Sequence, residues 1–205
     1  MSKIRYSEID GNSKGFYLVL VILAGMIGLG GLSALYMEHN GHWVSGMDNQ
    51  IAWGMPHVFA ILLIVAASGA LNIASIGTVF NKHAYKPLAR LSAILAIALL
   101  LGGLLVLVLD LGRPDRLIVA MTKYNFKSIF AWNILLYTGF LAVVGTYLFV
   151  QMERGMNRFA PAVGWFAFIW RLVLTTGTGS IFGWLVARQA YDAAVMAPLF
   201  IAMSL

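Results

Sequence analysis

The sequence predicts an all-α integral membrane protein, an antiparallel bundle of about five complete transmembrane helices followed by an incomplete sixth. Of the 205 residues, 60% are apolar and 11% are charged, and the mean hydropathy of +0.83 is far above that of soluble domains. Several apolar runs reach the roughly 20 residues that a membrane helix needs. The chain has no cysteine, so it cannot hold an iron–sulfur cluster through thiolates or attach a c-type haem.

Six apolar runs follow one another along the chain. Four are long enough to span a bilayer without interruption: 16–37, 56–80, 88–109 and 128–150. The fifth, 163–187, contains Arg171 and the polar cluster TTGTGS, and a sixth begins near Tyr191 and reaches Leu205. An unfinished span would leave carbonyl groups unpaired in hydrocarbon, so we expect a truncated set of helices, with a re-entrant or interfacial tail as the alternative.

Basic residues in the short loops predict that the N-terminal residues 1–15 face the cytoplasm, in an inner (cytoplasmic) membrane. Three lysines or arginines precede the first run and three lie in loop 81–90, whereas loop 38–52 has none. Loop 110–127 would then lie on the outer face, where it carries four basic residues against the rule: Arg113, Arg116, Lys123 and Lys127. These four charges call for a separate explanation.

Short loops also predict that the first four spans form an up-down bundle. The second span contains AASGALNIASIG, in which small residues would let a neighbouring helix approach closely.

The segment DNQIAWGMPHVF (48–59) places a histidine at the start of the second span. Pro56 suits the first turn of a helix, and Trp53 suits the membrane interface. At about 100° per residue, three polar side chains lie within roughly 60° of His57 on one side of the helix: Ser68, Asn72 and Ser75. This stripe should face the bundle interior, where it forms either part of a ligand site or an interhelical hydrogen-bond seam.

The third span ends in LDLGRPDR, where glycine and proline break the helix at the membrane surface. The break gathers four charged residues on the same face of the membrane as His57: Asp110, Arg113, Asp115 and Arg116. Imidazole exchanges protons near neutral pH, so His57 beside an Asp–Arg pair could exchange protons with a small polar headgroup that enters from the lipid. For Asp115 and Arg116 a salt-bridged surface turn is the preferred interpretation.

Other polar residues lie near the ends or within the later spans. Ser128 can cap the fourth span, and Asn125 and Trp132 lie at the outer end of that span. Arg171 lies about nine residues inside the fifth span, too deep to reach the surface easily. The four histidines do not provide two facing positions at one depth within the helices, which disfavours a haem site.

Three motifs together resemble the NrfD/PsrC family of polysulfide-reductase-type membrane subunits. They are WGMPH (53–57) opening a helix, LDLGRPDR (109–116) ending the next, and NFKSIFAWN (125–133) opening the one after. The resemblance covers residues 38–152 and is weaker beyond them. Within the family, the branch that contains DsrP is the most similar.

The resemblance implies a haem-free helical subunit that binds quinol and passes its electrons to an iron–sulfur subunit. Family members are often built of two four-helix bundles, and larger ones carry an additional helix at each end. Residues 16–37 would be the additional N-terminal helix, residues 38–162 the helices of the first bundle, and residues 163–205 further helices. The quinone-contacting histidine of the family corresponds to His57, while a further contact, a tyrosine from a later helix, has no clear counterpart.

We therefore expect quinone binding and proton exchange at three residues: His57, Asp110 and Arg113. Six residues could support the site: Trp53, Asn72, Asn125, Ser128, Trp132 and Arg171. Three basic residues are expected to dock a ferredoxin-like iron–sulfur subunit of a respiratory or sulfur-metabolism complex: Arg116, Lys123 and Lys127. Menaquinone or ubiquinone would be an exchangeable substrate, and neither a bound metal nor nucleic acid is expected. Two alternatives are a passive membrane anchor and a subunit that translocates protons along the polar stripe.

Overall fold

The structure is a computed structural model that describes residues 13–48, 51, 53–80, 82–112, 114–183 and 195–205. Helices and short turns make up these residues. The helices are α1 (Lys14–Asn40), α2 (Met55–Thr78), α3 (Leu88–Leu109), α4 (Leu117–Thr122), α5 (Ile129–Met152), α6 (Ala160–Gly183) and α7 (Met196–Met203). Five of them, all but α4 and α7, are long and apolar enough to cross a membrane. The expected all-α membrane protein is confirmed.

The boundaries of the first four predicted spans agree with α1, α2, α3 and α5 to within three residues. The fifth predicted span, 163–187, corresponds to α6, and its last four positions lie outside the described residues. The sixth apolar run contains α7, which has eight residues.

Residues 1–52 and 53–205 form two compact units, and α1 belongs to the first. The Ser13 hydroxyl caps α1 by accepting a hydrogen bond from the Phe16 N–H at 3.1 Å. The helix stops at Gly41, whose φ of +94° strains a residue with a side chain. Along α1 the side chains are exposed almost throughout, and only Met37 is buried. A helix that is apolar all round suits a membrane span.

In the second unit α2, α3, α5 and α6 pack as an antiparallel four-helix bundle, with α2 and α5 each lying against both α3 and α6. We expected the first four spans to form the bundle, but the fifth span, α6, closes it. At one end of the bundle α2 and α5 begin and α3 and α6 end; we call this the His57 end. The opposite end, where α5 finishes, is called the Gln151 end.

Small residues let α2 and α3 approach each other closely, as expected. The buried alanines are Ala60, Ala67 and Ala74 on α2 and Ala89, Ala93 and Ala96 on α3. A Cβ atom on Gly103 of α3 would lie only 3.0 Å from the carbonyl oxygen of Ala60. Ser92 of α3 links the two backbones, because its hydroxyl donates to the Ala70 carbonyl and accepts from the Ala74 N–H. This packing fixes α2 and α3, which carry the two central residues of the candidate site.

A second close contact joins α5 to α6. The indole of Trp170 packs over Gly139, where a Cβ atom would fall 2.1 Å from the Trp170 Cζ2 atom. The indole N–H donates to the Leu136 carbonyl at 3.1 Å. Gly139 is therefore required by packing rather than by its backbone angles.

Candidate functional site

An ion pair between α2 and α3 lies at the His57 end of the bundle. Pro56, which tolerates the first helical turn because it has no N–H to leave unpaired, is followed directly by His57. Asp110 lies at the C-cap of α3. The His57 Nδ1 atom is 2.8 Å from the Asp110 Oδ2 atom. The predicted co-location of these two residues is therefore seen in the structure as a direct contact.

The two partners differ in their access to the outside. The Asp110 side chain is 1% exposed, whereas the His57 side chain is 23% exposed. The Nδ1–Oδ2 contact is short enough for a charge-assisted hydrogen bond, but its alignment falls outside ordinary hydrogen-bond geometry, so we treat it as an electrostatic contact. The carboxylate is thus held inside the protein, while part of the imidazole remains reachable.

The imidazole is also fixed by the aromatic residue that precedes it. Trp53 stacks on His57 with the ring centroids 6.2 Å apart and the planes 24° from parallel. With Trp53 on one side and Asp110 at Nδ1, the orientation of the ring is restricted. Trp53 thus contacts His57, and its supporting role at the site stays a prediction.

A second polar group of residues lies near the His57 end on α5 and α6. Thr178 of α6 donates to the Asn133 Oδ1 atom at 3.4 Å and also interacts with the hydroxyl of Tyr137. All three side chains are buried. Counting along the helices at 1.5 Å per residue puts Asn133 and Thr178 roughly 6–8 Å inside their helix ends. By the same count His57 is about 3 Å inside the start of α2, so Asn133 and Thr178 lie deeper in the bundle than His57.

The sequence analysis did not single out Tyr137 and Thr178. Asn133 and Tyr137 are four residues apart, and so lie on one face of α5, which was the available signal. The pairing of α5 with α6 that brings Thr178 to this face could not be read from the sequence.

Arg171 is buried midway along α6, with 1% of its surface exposed. Its Cζ atom lies 4.7 Å from the centre of the Phe168 ring, and its Nε and Nη1 atoms have no hydrogen-bond partner within the described parts of the chain. Counting along the antiparallel helices puts Arg171 about 15 Å deeper than His57. Its charge therefore lies well away from the His57–Asp110 pair.

The residues of the predicted polar stripe on α2 make different local contacts. Ser68 and Ser75 are buried, as expected of a stripe that faces the interior. The Ser75 hydroxyl donates to the Leu71 carbonyl of its own helix, at 3.0 Å. The amide of Asn72 donates to the carbonyls of Ser204 and Leu205, at 2.9 and 3.0 Å, next to the end of α7. In this structure Asn72 is thus engaged in helix packing, and its supporting role at the site stays a prediction.

Three further candidates shape the start of α5. Ser128 occupies the N-cap position, but its side chain makes no capping hydrogen bond. The Asn125 side chain accepts from the Lys127 N–H at 3.1 Å, and the Trp132 indole donates to the Phe126 carbonyl at 2.9 Å. About half of the Trp132 surface is exposed, which suits an interface anchor. These contacts order the turn before α5.

The predicted docking residues surround α4 near the His57 end. Arg116, Lys123 and Lys127 are exposed, and the intervening helix presents Ile118 and Val119 to the outside. Arg113, predicted as part of the quinone site, lies outside the described residues. The segment therefore combines exposed positive charge with exposed apolar surface.

Chemically, the His57–Asp110 pair can hold and exchange a proton beside the hydrocarbon. A carboxylate at Nδ1 favours a proton on that nitrogen and leaves Nε2 as an acceptor, and it stabilises the imidazolium that forms when Nε2 takes a proton. In the described residues no group of three or more histidine, aspartate or glutamate side chains could hold a metal ion.

The fold and this buried acid–imidazole pair define a multi-pass helical membrane protein with a polar site at one end of its bundle. Residues 43–205 match the family model "Polysulphide reductase, NrfD", so the chain belongs to the NrfD family. The family resemblance predicted from the three motifs is thereby confirmed. Similarity to the branch that contains DsrP stays a prediction.

Three known proteins are similar in sequence to this chain, and each of them is longer than the chain. The Hdr-like menaquinol oxidoreductase integral membrane subunit of Archaeoglobus fulgidus is 28% identical over 97% of the chain and 49% of its own length. A protein of Halobacterium salinarum, provisionally named as a membrane subunit of dimethyl sulfoxide reductase, is 27% identical over 94% of the chain and 48% of its own length. A selenate reductase subunit of Mesobacillus selenatarsenatis is 24% identical over 80% and 38%. The chain thus spans about half the length, or less, of these relatives, and no solved structure matches it significantly.

Proposed function

We propose that this chain is the quinol-binding part of a membrane subunit in a redox complex, and that it exchanges electrons between the quinone pool and an iron–sulfur partner. The contact between His57 and Asp110 at the end of a membrane bundle is the observation that carries the proposal. Membership of the NrfD family and the name of the Archaeoglobus relative, a menaquinol oxidoreductase subunit, support it. Menaquinol is accordingly the preferred substrate.

In the proposed reaction the quinol loses two protons and two electrons. The Nε2 atom of His57 accepts a proton from one quinol hydroxyl, and Asp110 stabilises the imidazolium that results. The exposed part of the imidazole then releases this proton to the outside, and Nε2 accepts and releases the second quinol proton in the same way. With Asp110 almost fully buried, its charge acts on His57 with little screening by water.

The electrons leave to a partner, because a chain without cysteine has no thiolates for a cluster of its own. The exposed basic residues around α4 are the proposed docking surface for the partner, a ferredoxin-like iron–sulfur subunit. Their location near the His57 end would bring the partner close to the proposed headgroup site. We further propose an inner-membrane location with a cytoplasmic N-terminus, as the loop charges predict.

Replacing His57 tests the proposal most simply. In the assembled complex, His57→Ala should reduce quinol-dependent reduction of the partner by at least about 100-fold, the contribution of a positioned proton acceptor. His39→Ala, at an exposed histidine in the last turn of α1, is the matched control and should leave turnover unchanged. Normal turnover of His57→Ala in a complex that assembles normally would contradict the proposal.

The exposed charges around α4 favour a second candidate, a passive anchor that only holds an acidic partner at the membrane. On that interpretation, charge reversal at Arg116, Lys123 and Lys127 disrupts assembly, and His57→Ala has no effect on turnover. Charge reversal at Lys86, an exposed residue at the Gln151 end, is the control and should not affect assembly. Co-purification of the partner and its quinol-dependent reduction separate the two functions.

A further inference from the structure

An open groove of about 400 Å³ lies on the outer surface of the bundle between α5 and α6. Six residues line it: Ala142, Val143, Thr146, Ala162, Val163 and Phe166. Gly145 lies in the same part of α5, and a Cβ atom there would meet nothing within 4 Å. Small side chains thus leave a channel between two membrane-spanning helices, towards the Gln151 end.

The groove offers no free polar group to a ligand. Thr146 is the polar residue of its lining, and the Thr146 hydroxyl already donates to the Ala142 carbonyl at 2.8 Å. The remaining lining residues are apolar. A hydrocarbon chain is therefore a better occupant than a polar ligand, which would lose its hydrogen bonds to water.

A cation stands at the membrane-surface end of this groove. Arg158 is exposed in the 3₁₀ turn Asn157–Phe159, which leads directly into α6. Arg158 lies two residues before the start of α6 and four before Ala162, which places it roughly 6–8 Å beyond the first groove residue of that helix. In a phospholipid, a similar distance separates the phosphate from the start of the acyl chain. The Arg158 charge could therefore meet the phosphate while the acyl chain lies in the groove.

The Arg158 side chain is held by its neighbour and is open to a ligand. Its Cζ atom lies 4.7 Å from the centre of the Phe159 ring, a cation–π contact that orients the guanidinium. It makes no ion pair with another described residue.

We propose that the hairpin of α5 and α6 binds one anionic phospholipid, with the phosphate against Arg158 and one acyl chain in the groove. The guanidinium suits a phosphate because it presents several donors in one plane. The membrane around the bundle supplies such lipids at high local concentration. This site is separate from the His57–Asp110 pair and does not depend on the proposed function.

Native mass spectrometry of the full chain, released from micelles that contain equal amounts of phosphatidylglycerol and phosphatidylcholine, tests the proposal. The wild-type chain should retain one phosphatidylglycerol. Arg158→Gln should weaken this retention roughly fivefold, the effect of one basic side chain beside an anionic headgroup. Lys86→Gln removes an equal charge at the same end of the bundle, outside this hairpin, and should change retention little.

Filling the groove provides an independent test. Ala162→Phe should displace the acyl chain and so abolish retention of phosphatidylglycerol, while circular dichroism should show an unchanged helix content. Equal retention of both lipids, equal effects of Arg158→Gln and Lys86→Gln, or undiminished retention in Ala162→Phe would each overturn the proposal. So would a dimer of the chain that retains no lipid and dissociates in Ala162→Phe, because a second copy would then be the occupant.

Discussion

Replacing Asp110 by asparagine keeps the shape of the side chain and removes the charge that faces the His57 Nδ1 atom at 2.8 Å. Exposed ion pairs contribute up to about 1 kcal/mol to stability, whereas removing one partner of a fully buried pair costs about 3–5 kcal/mol. The Asp110 side chain is buried, but the His57 side chain is 23% exposed and can regain contact with water, so we expect a loss between these limits, about 1.5–2 kcal/mol. The fold should therefore survive the substitution.

The effect of Asp110→Asn on activity should be much larger than its effect on stability. Without the carboxylate, the imidazolium that forms during quinol oxidation is no longer stabilised, and the preference for a proton on Nδ1 is lost. We expect quinol-dependent reduction of the partner to fall by about 100-fold or more. Asp115→Asn, at an exposed aspartate five residues further on, is the matched control and should retain full activity.

A double-variant cycle tests whether the two residues act as a unit. The assay measures kcat with quinol for Asp110→Asn, His57→Ala and the variant that carries both, in complexes that contain the same subunits in equal ratio. If the pair acts together, the double variant should be about as slow as the slower single variant. The reasoning is refuted by near-normal turnover of Asp110→Asn, or by a loss in the double variant that equals the product of the two single losses.

Three further predictions concern the bundle itself, and each is checked by equilibrium unfolding in detergent micelles. Gly139→Ala places a Cβ atom 2.1 Å from Trp170 and should lower the free energy of unfolding by about 1–3 kcal/mol through overpacking. The control Gly145→Ala, whose Cβ atom meets nothing within 4 Å, should change stability by less than about 0.5 kcal/mol. Equal effects of the two substitutions would contradict the packing argument. Arg171→Met removes a buried charge, two of whose nitrogen atoms have no hydrogen-bond partner among the described residues, so stability should be unchanged or higher. A marked loss would reveal a stabilising contact of the guanidinium. Tyr147→Phe removes a hydroxyl that lies 2.8 Å from a threonine hydroxyl on α2 and should cost about 1 kcal/mol; no loss would show that this hydrogen bond contributes nothing.

Much of the fold could be predicted from the sequence, because membrane spans depend on local composition. The predicted boundaries of the third span, 88–109, are those of α3 in the structure. They could be predicted because charged or helix-breaking residues flank a run of leucine, isoleucine, valine and alanine. The inclusion of α6 in the bundle was not predicted. Helix partners depend on long-range contacts such as that of Trp170 with Gly139, which leave only a weak signal in one sequence.

The candidate site, like the fold, could be predicted from the sequence only in part. His57 and Asp110 could be paired from the sequence, because each lies at a helix end fixed by a proline or glycine break, and antiparallel neighbours bring those ends together. Tyr137 and Thr178 could not be paired, because their contact requires the rotation of α5 and α6 about their axes. Asn72 lay on the expected face of α2, but its hydrogen bonds to the last carbonyls beside α7 depend on a packing partner that the sequence did not identify.

The central claim, that the quinone headgroup binds beside His57 and Asp110, is tested most directly by a structure of the assembled complex with quinone bound. The account predicts a headgroup oxygen within hydrogen-bond distance, about 2.7–3.2 Å, of the His57 imidazole. A headgroup at the Gln151 end of the bundle, or on a surface formed wholly by another subunit, would contradict it.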